Sequence, residues 1–105
     1  VHAARRIALR SPHPKHRMAA LVLAGGRILA SASNRGPHSG HAEAVALRGY
    51  ETGRFKGATI VVVRVLGEGV GMSRPCLRCE QLIRRSRIAN MVYIWWDGKT
   101  YTEEV

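Results

Sequence analysis

Two short spacings carry residue types suited to metal-assisted hydrolysis. His41-Ala42-Glu43 sets an imidazole two residues before a carboxylate, and Pro75-Cys76-Leu77-Arg78-Cys79 sets two thiols three apart. One imidazole and two thiolates make three zinc ligands and leave a fourth position open for water, the layout of a catalytic rather than a structural zinc site. Both spacings fall where a helix is expected to begin. Thiols three apart at a helix start can point at one centre, and the positive end of the helix favours thiolate there. Glu43 lies close enough to reach water at the open position without being a ligand. The chain has two cysteines; placed at random they fall three apart about 2% of the time, and below about 0.1% with Pro in front. The alternative is a redox Cys-x-x-Cys or two buried thiols, which leaves the His-x-Glu unexplained.

The elements that must position these residues can be read from apolar periodicity and punctuation. Residues 1–10 place Ala4, Ile7 and Ala8 on one helical face, and Ser11-Pro12-His13-Pro14 ends that helix. An apolar strand over 18–24, the Gly25-Gly26 turn and a second strand over 27–33 form a hairpin. A polar loop over 34–40 leads into a helix over 41–52, with Gly53 as its stop. The run 58–65 is almost wholly apolar and β-branched, as in a strand buried on both faces. A Gly-rich loop over 66–73 precedes a helix over 75–87 with Pro at its first turn. A fourth strand over 90–96, the Asp97-Gly98 turn and a return strand over 99–103 complete the chain. The order α-β-β-α-β-α-β-β predicts a single domain over 1–105, a three-layer α/β/α sandwich with a five-stranded mixed sheet whose last two strands are antiparallel.

The two motifs in this order, one opening each helix with a strand between, resemble those of the zinc-dependent cytidine and deoxycytidylate deaminase superfamily. The resemblance implies a cytidine deaminase-like fold in which His41, Cys76 and Cys79 hold Zn2+ and Glu43 shuttles protons. It implies a substrate-facing role for Asn34, in the loop after the second strand, and for Ala42, Ser73, Arg74 and Pro75 around the motifs; Ser73 and Arg74 read equally well as surface-loop residues. Zinc brings the pKa of a bound water toward neutrality. Attack at C4 of cytosine, with Glu43 carrying the proton to the ring and then to the departing amine, gives uracil and ammonia. His41 as first ligand departs from ordinary free-cytidine deaminases, which commonly use Cys there. The Asp97-Gly98 hairpin places the chain in the branch that includes both free-nucleoside and polynucleotide deaminases.

Charge bears on the partner. Seventeen Lys and Arg, fourteen of them Arg, against seven Asp and Glu give a net charge of +10. Guanidinium groups bind phosphate through paired hydrogen bonds, so a nucleotide or a nucleic acid suits this balance, and so does an Arg-rich solvated face. Arg78, Arg84, Arg85 and Arg87 crowd the second motif helix and, with Arg5, Arg6 and Arg10, can form a phosphate-tracking surface. His2, His13, His16 and His38 read as solvated loop residues. Trp95 and Trp96, adjacent on a strand, should face opposite sides of the sheet, one in the core and the other stacking a base or, the favoured reading, buried in a subunit contact. That contact, and a sheet face covered only by the N-terminal helix, predict a homo-oligomer; a monomeric mass by light scattering would remove the expectation.

At 46% apolar and 23% charged residues the chain is globular rather than disordered. Its longest apolar run, 18–24, is far short of the roughly twenty residues a membrane span needs. Arg5, Arg6 and Arg10 interrupt any secretory signal, and the start at Val1 reads as processed or trimmed. The expected location is a reducing cytoplasm. Three functions fit: deamination of a small cytosine nucleoside or nucleotide, deamination of cytosine in single-stranded DNA or RNA, and a non-catalytic zinc module that binds nucleic acid. The intact Glu43 argues against the third.

Overall fold

Alternating apolar residues build the centre of the molecule. A computed structural model describes residues 17–33, 41–66 and 69–105. Strands β1 (Arg17–Ala24), β2 (Arg27–Ser33), β3 (Thr59–Leu66), β5 (Asn90–Ile94) and β6 (Thr100–Glu104) form one sheet in the order β2-β1-β3-β5-β6. A short β4 (Gly69–Gly71), in the segment read as loop, pairs with β3 beside this path. β3 and β5 are parallel and the other pairs antiparallel, so the sheet is mixed and the final hairpin is antiparallel as expected.

β3 occupies the middle because both of its faces are apolar. Ile60 and Val62 point to one side and Val61, Val63 and Val65 to the other, all buried. The first side packs with Ala20, Val22, Met91 and Tyr93 against Ala42, Ala46, Leu47, Phe55 and Ile83 from the connecting segments, so both described helices lie on that face. The opposite face collects Ala19 and Leu21 around Val61, Val63 and Val65. The expected N-terminal helix over 1–10 lies outside the described residues. Among the described residues, no helix is long and apolar enough to cross a membrane.

Turn chemistry decided the boundaries that periodicity misplaced. The Gly25-Gly26 hairpin is as expected: both residues have positive φ, at 56° and 77°, as a two-residue turn between twisted strands requires. The first motif helix is shorter than expected. α1 covers only Ala42–Ala46, because Gly49 takes a left-handed conformation (φ 81°) and the chain continues as a 3-10 turn, Tyr50–Thr52. α2 covers Leu77–Arg85, inside the expected 75–87.

The fourth strand stops at Ile94, not at residue 96. The Gly98 N–H donates to Trp95 O at 3.0 Å, the Trp95 N–H donates to Lys99 O at 3.0 Å, and Gly98 has φ 78°. These bonds close a three-residue loop, Trp96-Asp97-Gly98, with Gly at its left-handed position. Trp95 and Trp96 therefore leave the pleat. Neither enters the core, contrary to the expectation: they are 39% and 71% exposed.

Arg87 follows α2 with φ 59°, the one non-Gly residue at positive φ among the described residues. It occupies the position that commonly ends a helix with Gly, and a side chain there costs about 1 kcal/mol or more. Its carbonyl accepts the Gly57 N–H at 2.9 Å, which holds the turn in place. Arg87→Gly is expected to stabilise the protein by about 0.5–1 kcal/mol, read as a higher denaturation midpoint with an unchanged slope.

Candidate active site

The sheet brings the two motifs to one edge. β2, β3 and β5 run in the same direction, since β1 is antiparallel to both β2 and β3. Beyond the last β3–β5 pair the strands part, and Ser73 fills the fork. Its hydroxyl donates to Val62 O at 2.7 Å and accepts the Ile94 N–H at 2.9 Å, and its own N–H donates to Ile94 O at 2.8 Å. The staple fixes the segment that delivers Pro75 and Cys76 to this edge.

Cys76 is the N-cap of α2, in extended conformation (φ −67°, ψ 166°), and Cys79 is its third helical residue. Side chains at these two positions meet over the free N–H groups of a first turn, the arrangement a capping box uses for hydroxyl and carboxylate; here two sulfurs meet instead. His41 is the N-cap of α1. Its Nδ1 lies 3.7 Å from Cys76 Sγ and 3.3 Å from Cys79 Sγ, and all three ligand atoms lie within 4.8 Å of one another. Tetrahedral zinc with Zn–S near 2.3 Å and Zn–N near 2.0–2.1 Å separates S from N by roughly 3.5 Å. The donor set and its spacing therefore fit zinc. His41 and Cys76 are exposed while Cys79 is buried, so the set straddles the surface and has an open side.

Glu43 lies on the inner side of this cluster at 2% exposure, and its Oε1 has no hydrogen-bond partner. Burial raises its pKa above the usual carboxylate range, against lowering by its own backbone, by His41 and by the Cys79 thiol. Burial, and then the neighbouring Glu43, push the Cys79 thiol well up. A buried carboxyl with an unpaired oxygen costs stability where it stands. A carboxyl with a raised pKa beside a set of metal ligands is the type of group that transfers protons.

The other expected site residues fall into distinct environments. Ala42 is fully buried beneath α1 in the core, and Pro75 is buried next to Cys76. Ser73 is 1% exposed and its hydroxyl is engaged by β3 and β5, which gives it a part in holding the sheet together. Arg74 donates to Glu103 Oε2 at 3.0 Å and to Glu80 Oε1 at 3.2 Å, so its guanidinium is held by two carboxylates. Asn34 lies outside the described residues, as do His2, His13, His16, His38, Arg5, Arg6 and Arg10.

Two features escaped the sequence reading. One is the chain of polar contacts Tyr93–Glu103–Arg74–Glu80–Arg84, which ties β5, β6 and the Cys76 segment to α2. The Tyr93 hydroxyl, and then Arg74, hold Glu103 below the usual carboxylate range. Glu103 is 29 residues from Arg74, and no local spacing announces that pair. The other is a cleft of about 350 Å³ between α1 and α2, lined by His41, Cys79, Arg78 and Arg85 among others.

Comparison with known proteins bears on the same frame. A dCMP deaminase from the cyanophage S-TIM5 superposes with a TM-score of 0.65 at 19% identity, covering 86% of this chain and 75% of its own. A diaminohydroxyphosphoribosylaminopyrimidine deaminase/5-amino-6-(5-phosphoribosylamino)uracil reductase from Thermotoga maritima superposes at 0.64 with 23% identity, and RibD from Acinetobacter baumannii at 0.62 with 18%. Each covers 86% of this chain, which spans 26% and 25% of their respective lengths. At these identities the likeness is one of fold. Among curated proteins none matches the chain in sequence. The sequence profile of the cytidine and deoxycytidylate deaminase zinc-binding region does match, over residues 1–95. That span takes in both motifs and the strand between them, and by it the chain belongs to the cytidine and deoxycytidylate deaminase family.

Proposed function

We propose that the protein hydrolytically deaminates cytosine in a (deoxy)cytidine nucleoside or nucleotide, releasing ammonia and leaving the uracil product. The observation that carries this reading is the buried, unpartnered Oε1 of Glu43 beside a His–Cys–Cys set spaced as zinc requires. A structural zinc module has no use for such a carboxylate, whose burial costs stability. The names of the cyanophage and Thermotoga proteins describe deaminases of phosphorylated pyrimidine compounds, which supports a substrate of this class.

His41, Cys76 and Cys79 would hold the zinc ion, which when bound supplies water acidic enough to ionise near neutral pH. Glu43 does the proton work. Its carboxylate takes a proton from the attacking water as the C4–O bond forms, and passes it to the ring nitrogen N3. It then carries the second proton to the exocyclic amine, so that the C4–N bond breaks with a neutral leaving group. No redox change occurs, and water and ammonia balance the exchange. The Ser73 staple and the Arg74 clamp keep Cys76 in register with His41 during this cycle. Self-association belongs to the same reading, supported by the exposed apolar side chains of Ile28, Leu77 and Trp96.

The test is a mass-spectrometric panel on zinc-loaded protein with cytidine, deoxycytidine and their monophosphates, and Glu43→Ala as control. Amino-to-oxo conversion of a monomer that disappears in Glu43→Ala is the expected outcome. Absence of conversion of every cytosine substrate, with zinc bound, would overturn the reading.

A further inference from the structure

Two clefts flank α2. The first, between α1 and α2, is lined by His41, Cys79, Arg78 and Arg85. A second cleft of about 320 Å³ opens past the end of α2, lined by Arg85, Arg87 and Lys56 together with Glu51. Arg85 lines both, so the two clefts meet at its side chain, and the first of them is bordered by His41 and Cys79. Arg78 and Arg85 are seven residues apart, two turns of α2 on the same face, and the helix sets them roughly 10.5 Å apart along its axis. They line a track rather than a single point.

The charge of this track is left over from the folded structure. Glu80, the acid on α2, is occupied by Arg74 and Arg84. Arg78, Arg85, Arg87 and Lys56 are exposed and form no ion pair among the described residues. Glu51, at the far end, is the one acid lining either cleft among those residues. Four cations spread over two adjoining clefts against one carboxylate, with His41 and Cys79 bordering the first cleft, fit a ligand with repeated negative charge better than a single phosphate.

We propose that this pair of clefts is the path of a single-stranded polynucleotide, its phosphodiesters running along Arg78 and Arg85 toward Lys56 and Arg87. The assignment rests on the deaminase reading in that the strand leads away from the Glu43 centre, and it extends that reading from free nucleotides to nucleotides within a strand. DNA and RNA offer the same phosphodiester, so the clefts by themselves do not choose the sugar.

The experiment is fluorescence anisotropy of labelled single-stranded DNA and RNA oligonucleotides on the zinc-loaded 105-residue protein across a salt series. Each arginine that contacts a phosphate contributes roughly 0.7 to the slope of log affinity against log salt, or roughly eightfold in affinity at about 50 mM salt. The double variant Arg78→Ala/Arg85→Ala is therefore expected to lose about 1.4 from the slope and on the order of sixtyfold in affinity at that salt. Both residues are exposed, so folding is not at stake. Arg27→Ala is the control: it removes a charge from the β1–β2 turn, which lines neither cleft, and should leave the slope within a few tenths. Binding of either strand type with this pattern supports the track. No binding at about 50 mM salt overturns it, as does an equal loss per charge in Arg27→Ala. Monomer turnover without strand binding would overturn the track and leave the deaminase reading standing. Track-dependent binding without turnover of any cytosine substrate would overturn the deaminase reading alone.

Discussion

Replacing Glu43 by Gln is expected to lower kcat/KM of the zinc-loaded protein by about 10²- to 10⁴-fold, the range over which a positioned proton-transfer group acts. Bound zinc should stay equimolar, because His41, Cys76 and Cys79 are untouched. The same substitution is expected to stabilise the metal-free protein near neutral pH by about 1–3 kcal/mol. Glu43 is fully enclosed with one oxygen unpaired, and the neutral amide has nearly the same shape without the burial penalty on charge. Ala42 and Ala46 keep α1 seated in the core in either protein.

The pH dependence has a definite sign. Burial raises the Glu43 pKa above its ordinary 4.5, so the folded state holds this proton more tightly than the unfolded state. Stability from this group is present in full below the unfolded value and is lost as pH rises through the folded one. The metal-free wild type should therefore lose stability above pH 4.5 relative to Glu43→Gln, which lacks this term; urea midpoints of both proteins in chelator, compared at pH 4 and pH 7, measure it. Full turnover in the variant would remove Glu43 from the proton path. A lower midpoint than wild type at neutral pH would mean that the carboxylate is stabilised by something other than the described partners.

Cys79→Ser is expected to have the second large effect, abolishing zinc-dependent stability and activity together. Cys79 is the buried ligand and approaches the imidazole most closely, at 3.3 Å. A serine hydroxyl there is shorter and does not ionise to replace a thiolate. Zinc at a thousand times its Kd adds about 4 kcal/mol to the folded state. For a domain of this length that corresponds to a rise in Tm of roughly 15–30 °C. Differential scanning calorimetry with zinc and with chelator should show this shift in wild type and its absence in the variant. Zinc affinity should also climb with pH in the wild type, because the thiols must lose protons to bind. A zinc-dependent Tm shift that survives in Cys79→Ser would remove this residue from the ligand set.

What the sequence made legible was local. The placement of Cys76 and Cys79 on a first helical turn follows from three-residue spacing after a proline, and β3 follows from an unbroken β-branched run. The Gly25-Gly26 turn follows from two residues that tolerate positive φ. The errors have local causes too: Gly49 took a left-handed conformation four residues before the expected stop at Gly53, and Gly98 served a three-residue loop in place of a two-residue one. What stayed illegible was pairing across distance. Arg74 read as a residue of the pocket mouth by resemblance, or equally of a surface loop, and neither reading showed that its guanidinium is paired with carboxylates on α2 and β6. Ser73 read as substrate-facing or as a surface-loop residue, and neither reading showed the buried hydroxyl that joins β3 to β5 where they part.

The displaced tryptophans have a practical consequence. Trp95 and Trp96 are the only two in the chain; both project from the hairpin tip with ring centroids 6.5 Å apart at 63°. Trp96, at 71% exposure, is expected to emit as indole in contact with water while the sheet is intact, and Trp95 lies edge-on to Tyr93 at 39% exposure. Melting of the core around Ile60, Val62 and Phe55 is expected to shift the Trp96 contribution little. The close, inclined pair should instead give a coupled signal in the ultraviolet circular dichroism, sensitive to the conformation of this one loop. Intrinsic fluorescence of this protein should thus respond to what docks on the tip, and unfolding is better followed through the backbone signal.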